Sequence, residues 1–264
     1  MYAFTYHQPT NVSAAVAALA AEDAKALAGG QTLLPTMKQR LAAPTSIVDL
    51  GKIAELSGIS REGDAIVIGA MTRHADVATS AAVKQAIPAL AALAGTIGDP
   101  QVRNRGTIGG SIANNDPAAD YPAAALALGA TIVTNKREIG AEAFFKGLFE
   151  TALESGEIVT KVRFPIPQKA AYAKFPNPAS RFALVGVFVA KTAGGVHVAV
   201  TGAGASGVFR AKALETALAA NFAPAALNGV TVPATGLNAD LHADAAYRAH
   251  LIVVMAKRAV AAAG

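Results

Sequence analysis

Two glycine clusters hold most of the small and flexible residues that could contact a ligand in this sequence. The first, AGGQT at 28–32, precedes a helical pattern at 33–41, and the second lies within TIGDPQVRNRGTIGGSIANNDPAADYP at 96–122. Glycines at a strand-to-helix turn let a ligand approach the backbone, where unpaired amide groups suit a phosphate. Gln31 and Thr32 add side-chain donors. We therefore expect both clusters to face one ligand and to bind the two phosphates of a pyrophosphate.

The second cluster repeats the arrangement of the first. In GTIGGS, Gly109 and Gly110 follow the hydroxyl residue Thr107, and Ser111 offers another donor. Consecutive backbone N–H groups in a glycine-rich turn form a concavity that binds anions. The alternative for the first cluster is a plain tight turn, with Thr32 as the N-cap of the helix that follows.

Three charged residues near the second cluster each have two interpretations. Asp120 precedes an apolar helix, where its carboxylate either caps the helix or accepts hydrogen bonds from ribose or ribityl hydroxyls. Arg103 and Arg105 either neutralise phosphate charge or form salt bridges and pack the loop. The sequence leaves these alternatives open.

The composition excludes several classes of protein. The chain has 264 residues and no cysteine, so it forms no disulfide and holds no iron–sulfur cluster through its own thiolates. Its net charge of +5 comes from dispersed lysines and arginines, and only 6% of its residues are aromatic, which argues against nucleic-acid binding. The histidines lack metal-ligand spacing, so we predict no metal. No targeting segment is recognisable, and we expect a cytoplasmic protein.

Short β-branched runs mix irregularly with helical patterns, which predicts an α+β fold. Strands are predicted at 45–50, 65–70, 130–134 and 157–164, with a hairpin at 182–191 and 195–204 around a Gly-Gly turn. Helices are predicted at 12–21, 33–41, 81–94, 118–128, 211–219 and 241–263. The proline-rich segment 165–181 indicates a boundary between a domain of residues 1–172 and a smaller one of residues 173–264.

A third glycine motif, Gly202-x-Gly204-x-x-Gly207, matches the pattern of a Rossmann phosphate turn. That fold also needs an acidic residue about 20 positions later to bind the ribose. No Asp or Glu lies between Glu215 and Asp240. We interpret the motif as a structural turn that leaves a hairpin, and a nicotinamide-binding reductase that uses it stays an alternative.

Three segments, AGGQTLLPTMKQR, MTRHADV and IGDPQVRNRGTIGGSIANNDPAADYP, together resemble the FAD-binding (medium) subunit of the molybdenum hydroxylase family. This family contains carbon monoxide dehydrogenase-like and xanthine dehydrogenase-like enzymes. YAKFPNPASRFALVGV and RAHLIVVMAKRA extend the resemblance over nearly the whole chain. It implies a two-lobed α+β FAD-binding fold of the vanillyl-alcohol oxidase type, with the cofactor between the lobes, and a smaller α+β C-terminal domain.

The resemblance also implies where the cofactor lies. The pyrophosphate would contact the two glycine clusters, the sugar or ribityl part would lie near Asn114 and Asp120, and the isoalloxazine ring would lie beside Ile97, Val159 and Lys174. A cation such as Lys174 near the pyrimidine edge would favour the reduced, anionic flavin; the alternative is a solvent-facing strand lysine. The implied cofactor-binding residues are Ala28, Gly29, Gly30, Gln31, Thr32, Ile97, Thr107, Gly109, Gly110, Ser111, Asn114, Asp120, Val159 and Lys174.

The resemblance implies that this chain acts as an electron relay and that another subunit oxidises the substrate. The resemblance implies a molybdopterin-binding large subunit that oxidises the substrate and a small subunit with [2Fe–2S] clusters. It also implies an external acceptor such as NAD, a quinone or dioxygen, and assembly as a dimer of heterotrimers. A non-catalytic scaffold that has lost the cofactor is the second alternative.

Overall fold

The computed structural model describes residues 1–264 and contains four β-sheets. The strands are β1 Thr5–His7, β2 Ala24–Leu27, β3 Ser46–Asp49, β4 Ile59–Glu62, β5 Ala65–Gly69, β6 Thr131–Thr134, β7 Glu138–Gly140, β8 Phe145–Gly147, β9 Glu150–Thr151, β10 Val159–Pro165, β11 Lys169–Pro176, β12 Ala183–Thr192, β13 Gly195–Thr201 and β14 Phe209–Arg210. The α-helices are α1 Val12–Leu19, α2 Leu33–Lys38, α3 His74–Thr79, α4 Ala81–Ala86, α5 Pro88–Gly95, α6 Pro100–Arg103, α7 Ile108–Asn114, α8 Tyr121–Leu128, α9 Ala141–Phe144, α10 Lys212–Ala220 and α11 Ala245–Ala262. None of them combines the length and hydropathy of a membrane-spanning segment.

The first lobe contains a parallel three-stranded sheet in the order β1-β3-β2, with α1 packed on it. Helix α1 begins after Asn11, whose side chain accepts a hydrogen bond from the Ala14 amide at 2.8 Å. Ala15 then packs with Val48 and Leu50 in a small core. Strand β2 ends directly before the first glycine cluster, as the sequence predicts.

The second lobe is built on a five-stranded antiparallel sheet in the order β4-β5-β10-β6-β7. Alternate residues of β5 and β10, namely Ile66, Ile68, Val162 and Phe164, point into its core. Helix α8 is buried at every residue because it lies between this sheet and the C-terminal domain. The second glycine cluster leads into α7, directly upstream of that buried helix.

The C-terminal domain is an antiparallel sheet in the order β11-β12-β13-β14, joined to α10 and α11 in one core. Strand β12 is buried on both faces. Phe188 and Ala190 pack into the core of the second lobe, whereas Val185, Val187 and Val189 pack into the core with α10 and α11. Burial on both faces explains why FALVGVFVAK is a nearly continuous apolar run instead of an alternating one.

The predicted α+β class is confirmed, as is the hairpin of β12 and β13, in which Thr192 lies opposite Gly195. The predicted helix at 81–94 is divided into α4 and α5. Ile87 leaves the helical conformation, with ψ at 70°, because it precedes Pro88.

Two further helices begin later than the patterns indicate. Helix α8 begins at Tyr121 instead of residue 118, because the Asp116 carboxylate accepts the Ala118 amide at 2.8 Å and forms a turn. Helix α11 begins at Ala245, where Asp244 caps it by accepting the Tyr247 amide at 2.7 Å.

The expected domain border between residues 172 and 173 falls inside β11. This strand pairs with β12 from Lys169, opposite Lys191, to Pro176, opposite Ala183. All of β11 therefore belongs to the C-terminal sheet. We propose that the border lies just before Lys169.

Candidate functional site

A cavity of about 1140 Å³ lies where the two lobes and the C-terminal sheet meet. Its volume is that of a site for a large organic ligand. The first lobe contributes the turn after β2, the second lobe contributes α7 and the start of β10, and the C-terminal domain contributes Lys174 and Phe182. All the predicted cofactor-binding residues except Gly29 line it. Phe182 was not among them, although it lies in the segment YAKFPNPASRFALVGV that extends the resemblance.

The first glycine cluster presents consecutive unpaired backbone donors. None of the amide groups from Gly29 to Leu33 donates a hydrogen bond within the protein. Gly30 has a φ of +73°, which a residue with a side chain adopts only with strain. The turn therefore leaves a run of N–H groups without an internal partner at the start of α2.

The second cluster does not present the free backbone amides that the sequence predicts. The amides of Ile108 and Gly109 donate to the carbonyls of Thr72 and Ala70 at 3.1 and 2.8 Å. The Gly110 amide donates to the Thr107 hydroxyl at 3.2 Å, which makes Thr107 the N-cap of α7. The Ser111 amide donates to the Thr107 carbonyl at 3.0 Å. The prediction of a nest of free amides at 108–111 is thus wrong, because capping and the neighbouring strand end already satisfy them.

The two clusters nevertheless form one wall, as predicted. Gly29 lies so close to the Arg105 carbonyl that a Cβ atom at position 29 would overlap it, and that atom would lie 2.7 Å from the Gly106 Cα. Gly29 itself faces away from the large cavity, into a second cleft that Arg105 also lines. Its role is to let the first loop pack against the second.

Four of the predicted site residues on the cavity wall have polar side chains that make no hydrogen bond within the protein. These are Gln31, Thr32, Ser111 and Asn114. Thr32 is not the side-chain cap of α2 that the alternative interpretation required. Both loops therefore offer donors, the first through its backbone and the second through Ser111 and Asn114.

Asp120 and Lys174 form a buried ion pair at the cavity wall. The Lys174 Nζ lies 3.0 Å from the Asp120 Oδ2, and the two side chains are only 6% and 5% exposed. The other carboxylate oxygen accepts a hydrogen bond from the Tyr172 hydroxyl. Burial raises the pKa of Asp120, while Lys174 and Tyr172 oppose that shift. Asp120 makes no capping bond to α8, and Lys174 does not face solvent, so both structural alternatives are wrong.

His74 also lines the cavity, although the sequence did not mark it as a site residue. Its ring packs against Tyr121 with centroids 5.3 Å apart, and neither the His74 Nδ1 nor the Tyr121 hydroxyl has a hydrogen-bond partner. Burial lowers the pKa of His74 to about 4, so the imidazole is neutral at pH 7. The MTRHADV segment contains His74, but nothing in that segment indicated that the ring is buried at the cavity wall.

The segment that leads to Val159 is fixed by a separate polar network. Asn135 accepts the Ile158 amide at 2.8 Å, and Glu157 receives hydrogen bonds from Arg137 at 3.0 Å and from Thr134 at 2.7 Å. These bonds lower the pKa of Glu157 to about 2. The network ties the 154–159 segment, which lines the cavity, to residues 134–137 at the end of β6.

The two arginines of the second cluster do not line the large cavity. Arg103 donates to the carbonyls of Ile97 and Gly98 at 3.2 and 2.9 Å and thereby packs the loop that carries Ile97. Arg105 is exposed in the second cleft, next to Gly29. For Arg103, the loop-packing alternative is confirmed.

The third glycine motif is a structural turn. Strands β12 and β13 are antiparallel, so no Rossmann βαβ unit precedes it. The Gly202 amide donates to the Pro117 carbonyl at 2.8 Å, and the Gly202 carbonyl accepts from Arg248 at 3.2 Å. The turn thus joins the C-terminal sheet to the loop before Asp120, and its backbone groups are used within the protein.

The sequence and the fold of this chain are similar to those of known proteins. Residues 2–167 match the family model described as the FAD binding domain in molybdopterin dehydrogenase. The carbon monoxide dehydrogenase medium chain of Hydrogenophaga pseudoflava is 37% identical over 98% of this chain and 96% of its own length. A solved carbon monoxide dehydrogenase from that organism has a TM-score of 0.89 at 38% identity, covering 99% of this chain and 97% of the other. Quinoline 2-oxidoreductase from Pseudomonas putida 86 has a TM-score of 0.88 at 29% identity, with coverages of 99% and 97%.

Proposed function

This chain belongs to the FAD-binding medium subunits of the molybdenum hydroxylase family, and we propose that its large cavity holds FAD as one step of an electron relay. In this proposal the pyrophosphate lies against Ala28–Thr32 and Thr107–Ser111. Asn114 and Asp120 lie near the sugar or ribityl hydroxyls, and Ile97, Val159 and Lys174 lie beside the ring.

The residues present fit this cofactor. The free amides from Gly30 to Leu33, which line the cavity, suit a dianionic pyrophosphate because charge-assisted hydrogen bonds are stronger than neutral ones. Unpaired side chains such as Gln31 and Ser111 supply further donors to the same wall. Lys174 lines the same cavity, and its ammonium donates to the carbonyl of Thr96, the residue before Ile97.

The bound flavin would supply redox chemistry, taking electrons from [2Fe–2S] clusters of a small subunit and passing them to NAD, a quinone or dioxygen. The chain contains no cysteine, so clusters must come from a partner. The relatives named medium chains support a complex with a small subunit and a molybdopterin-binding large subunit. Assembly as a dimer of heterotrimers belongs to the same proposal.

The row of free amides in the first loop is the observation that carries this proposal, and it can be tested by cofactor binding. We expect the purified chain, as isolated or after addition of FAD, to show a two-banded flavin spectrum and to release FAD on heat denaturation. Riboflavin lacks both phosphates and should bind at least about 100-fold more weakly than FAD. Equal affinity for the two compounds would contradict a pyrophosphate at these loops.

The same measurement separates the alternatives. A colourless chain that takes up no FAD, alone or with its companion subunits, would contradict the relay and favour a cofactor-free scaffold. Tight binding of NAD without flavin would favour a nicotinamide-binding reductase. The occupied backbone groups of the Gly202 turn argue against that reductase.

A further inference from the structure

Tyr172 connects the C-terminal sheet to the ion pair at the cavity wall. Tyr172 and Lys174 lie two residues apart on β11, so both side chains project from the same face of the strand. Both also end on the same carboxylate, with the Tyr172 hydroxyl on Asp120 Oδ1 and the Lys174 ammonium on Oδ2. Lys174 additionally donates to the Thr96 carbonyl at 3.3 Å, one residue before Ile97.

The fold reserves space for the Tyr172 hydroxyl. Gly186 lies opposite Lys174 in β12, and a Cβ atom at position 186 would overlap the Tyr172 hydroxyl oxygen. The Tyr172 ring packs on Phe188, whose centroid is 6.2 Å away. A glycine within a buried strand normally weakens it, so this one indicates a specific close approach.

The backbone that precedes Asp120 is also fixed by the C-terminal sheet. The Thr201 hydroxyl donates to the carbonyls of Ala119 and Pro117 at 2.6 and 3.0 Å, which fixes the backbone just before Asp120. Two strands of the C-terminal sheet, β11 and β13, therefore set the position of one carboxylate in the second lobe. That carboxylate in turn orients the Lys174 ammonium.

We propose that Tyr172 is a positioning residue that fixes Asp120 and thereby holds the Lys174 ammonium toward the part of the cavity that accommodates the flavin ring. This inference rests on the proposed function. Without the hydroxyl, Asp120 Oδ1 loses its donor and both carboxylate oxygens compete for Lys174, which draws the ammonium away from the cavity. A cation near the pyrimidine edge favours reduced flavin, so its withdrawal lowers the flavin midpoint potential.

The test is the midpoint potential of FAD bound to the full chain, measured for the wild type and Tyr172→Phe. We expect the preference for reduced over oxidised flavin to fall roughly tenfold, which corresponds to about 30 mV. Tyr247→Phe is the matched control, because Tyr247 is exposed and its hydroxyl makes no hydrogen bond within the protein. It should leave the potential unchanged.

A double variant distinguishes positioning from a general structural effect. Lys174→Met removes the cation. In that background, the addition of Tyr172→Phe should change the preference for reduced over oxidised flavin by less than about twofold. Equal effects of Tyr172→Phe in both backgrounds would show that the hydroxyl acts independently of Lys174 and would overturn the proposal. Should Tyr172→Phe fail to fold by circular dichroism, Gly186→Ala displaces the same hydroxyl and should reproduce the shift.

The outcomes for this inference and for the proposed function differ. A wild-type chain that binds no FAD, even with its companion subunits, contradicts the proposed function and removes the inference with it. A wild type that binds FAD, with a variant of unchanged potential, overturns only the role of Tyr172.

Discussion

Gly110 of the second loop faces Ala28 of the first: a Cβ atom at position 110 would lie 3.4 Å from the Ala28 Cβ and 3.0 Å from the Thr107 Oγ1. The two residues belong to different lobes and are far apart in the sequence, yet their contact closes the wall of the cavity. A side chain larger than a methyl group at position 110 would have to extend along that wall, where we place the pyrophosphate.

Replacing Gly110 should therefore abolish flavin binding with little effect on the fold. Gly110→Leu should weaken FAD binding at least about 100-fold, because the side chain displaces the phosphates from the free amides. Titration of FAD with the purified variant would measure this. Gly140→Leu is the control, since a Cβ there meets open space and the residue lies outside the cavity. Normal flavin content in Gly110→Leu would contradict the shared-pyrophosphate arrangement. Gly30 is less suitable for this test, because its positive φ would strain the backbone of any residue with a side chain.

Stability should depend on pH through His74. Its pKa is about 4 in the folded protein and 6.5 ordinarily, so the folded state disfavours the protonated ring. The contribution of the neutral His74 ring to the free energy of unfolding is therefore complete above pH 6.5 and is lost as the pH falls toward 4. We expect a loss of roughly 2 kcal/mol between pH 6.5 and about pH 5. Urea unfolding of the wild type and His74→Gln should show a flatter profile for the variant, whereas exposed His250→Gln should behave as the wild type.

Glu157 should stabilise the fold in a more acidic range. Its pKa is lowered from 4.5 to about 2, mainly by the hydrogen bond from Arg137, so its contribution is present above pH 4.5 and lost as the pH falls toward 2. The stability difference between the wild type and Glu157→Gln should shrink by roughly 2 kcal/mol between pH 6 and 3. Glu138→Gln, an exposed residue outside this network, is the control. A difference that stays constant with pH would show that the Arg137 pair does not stabilise the fold.

Arg248 should be irreplaceable by lysine. It is 2% exposed and donates to the Leu184 carbonyl at 2.7 Å, to the Gly202 carbonyl and to Asp240. A lysine ammonium is a point charge that cannot reproduce this planar set of donors. Arg248→Lys should lower the free energy of unfolding by roughly 3 kcal/mol, since it leaves buried acceptors unpaired. Exposed Arg258→Lys should change it by less than about 0.5 kcal/mol.

The sequence predicted the parts of the site that depend on local backbone chemistry. A strand followed by Gly-Gly and a helical pattern is enough to place a turn with free amides at 29–33. The state of the second loop was not predictable in this way, because the acceptors of its amides, Thr72 and Ala70, come from a distant strand end. Local patterns indicate donors but not whether the rest of the chain satisfies them.

Contacts between distant residues were also beyond the sequence patterns. Asp120 and Lys174 were each predicted individually, and the resemblance placed both near the cofactor, but nothing in their spacing indicated an ion pair. Tyr172 was assigned to a proline-rich boundary and to a segment of the resemblance but to no role, whereas strand β11 runs through that segment. Its pairing partner lies further along the chain, and strand pairing of this kind depends on register rather than on local propensity.

The position of Lys174 and Phe182 in the cavity wall has a consequence for biosynthesis. A ribosome delivers the two glycine loops long before it delivers β11, so a nascent chain contains both loops while one side of the cavity is still missing. The cavity wall is complete only after the C-terminal sheet has folded onto α8. With FAD in this cavity, as we propose, its retention is a property of the finished chain, because a truncated product would lack the part of the wall that contains Lys174 and Phe182.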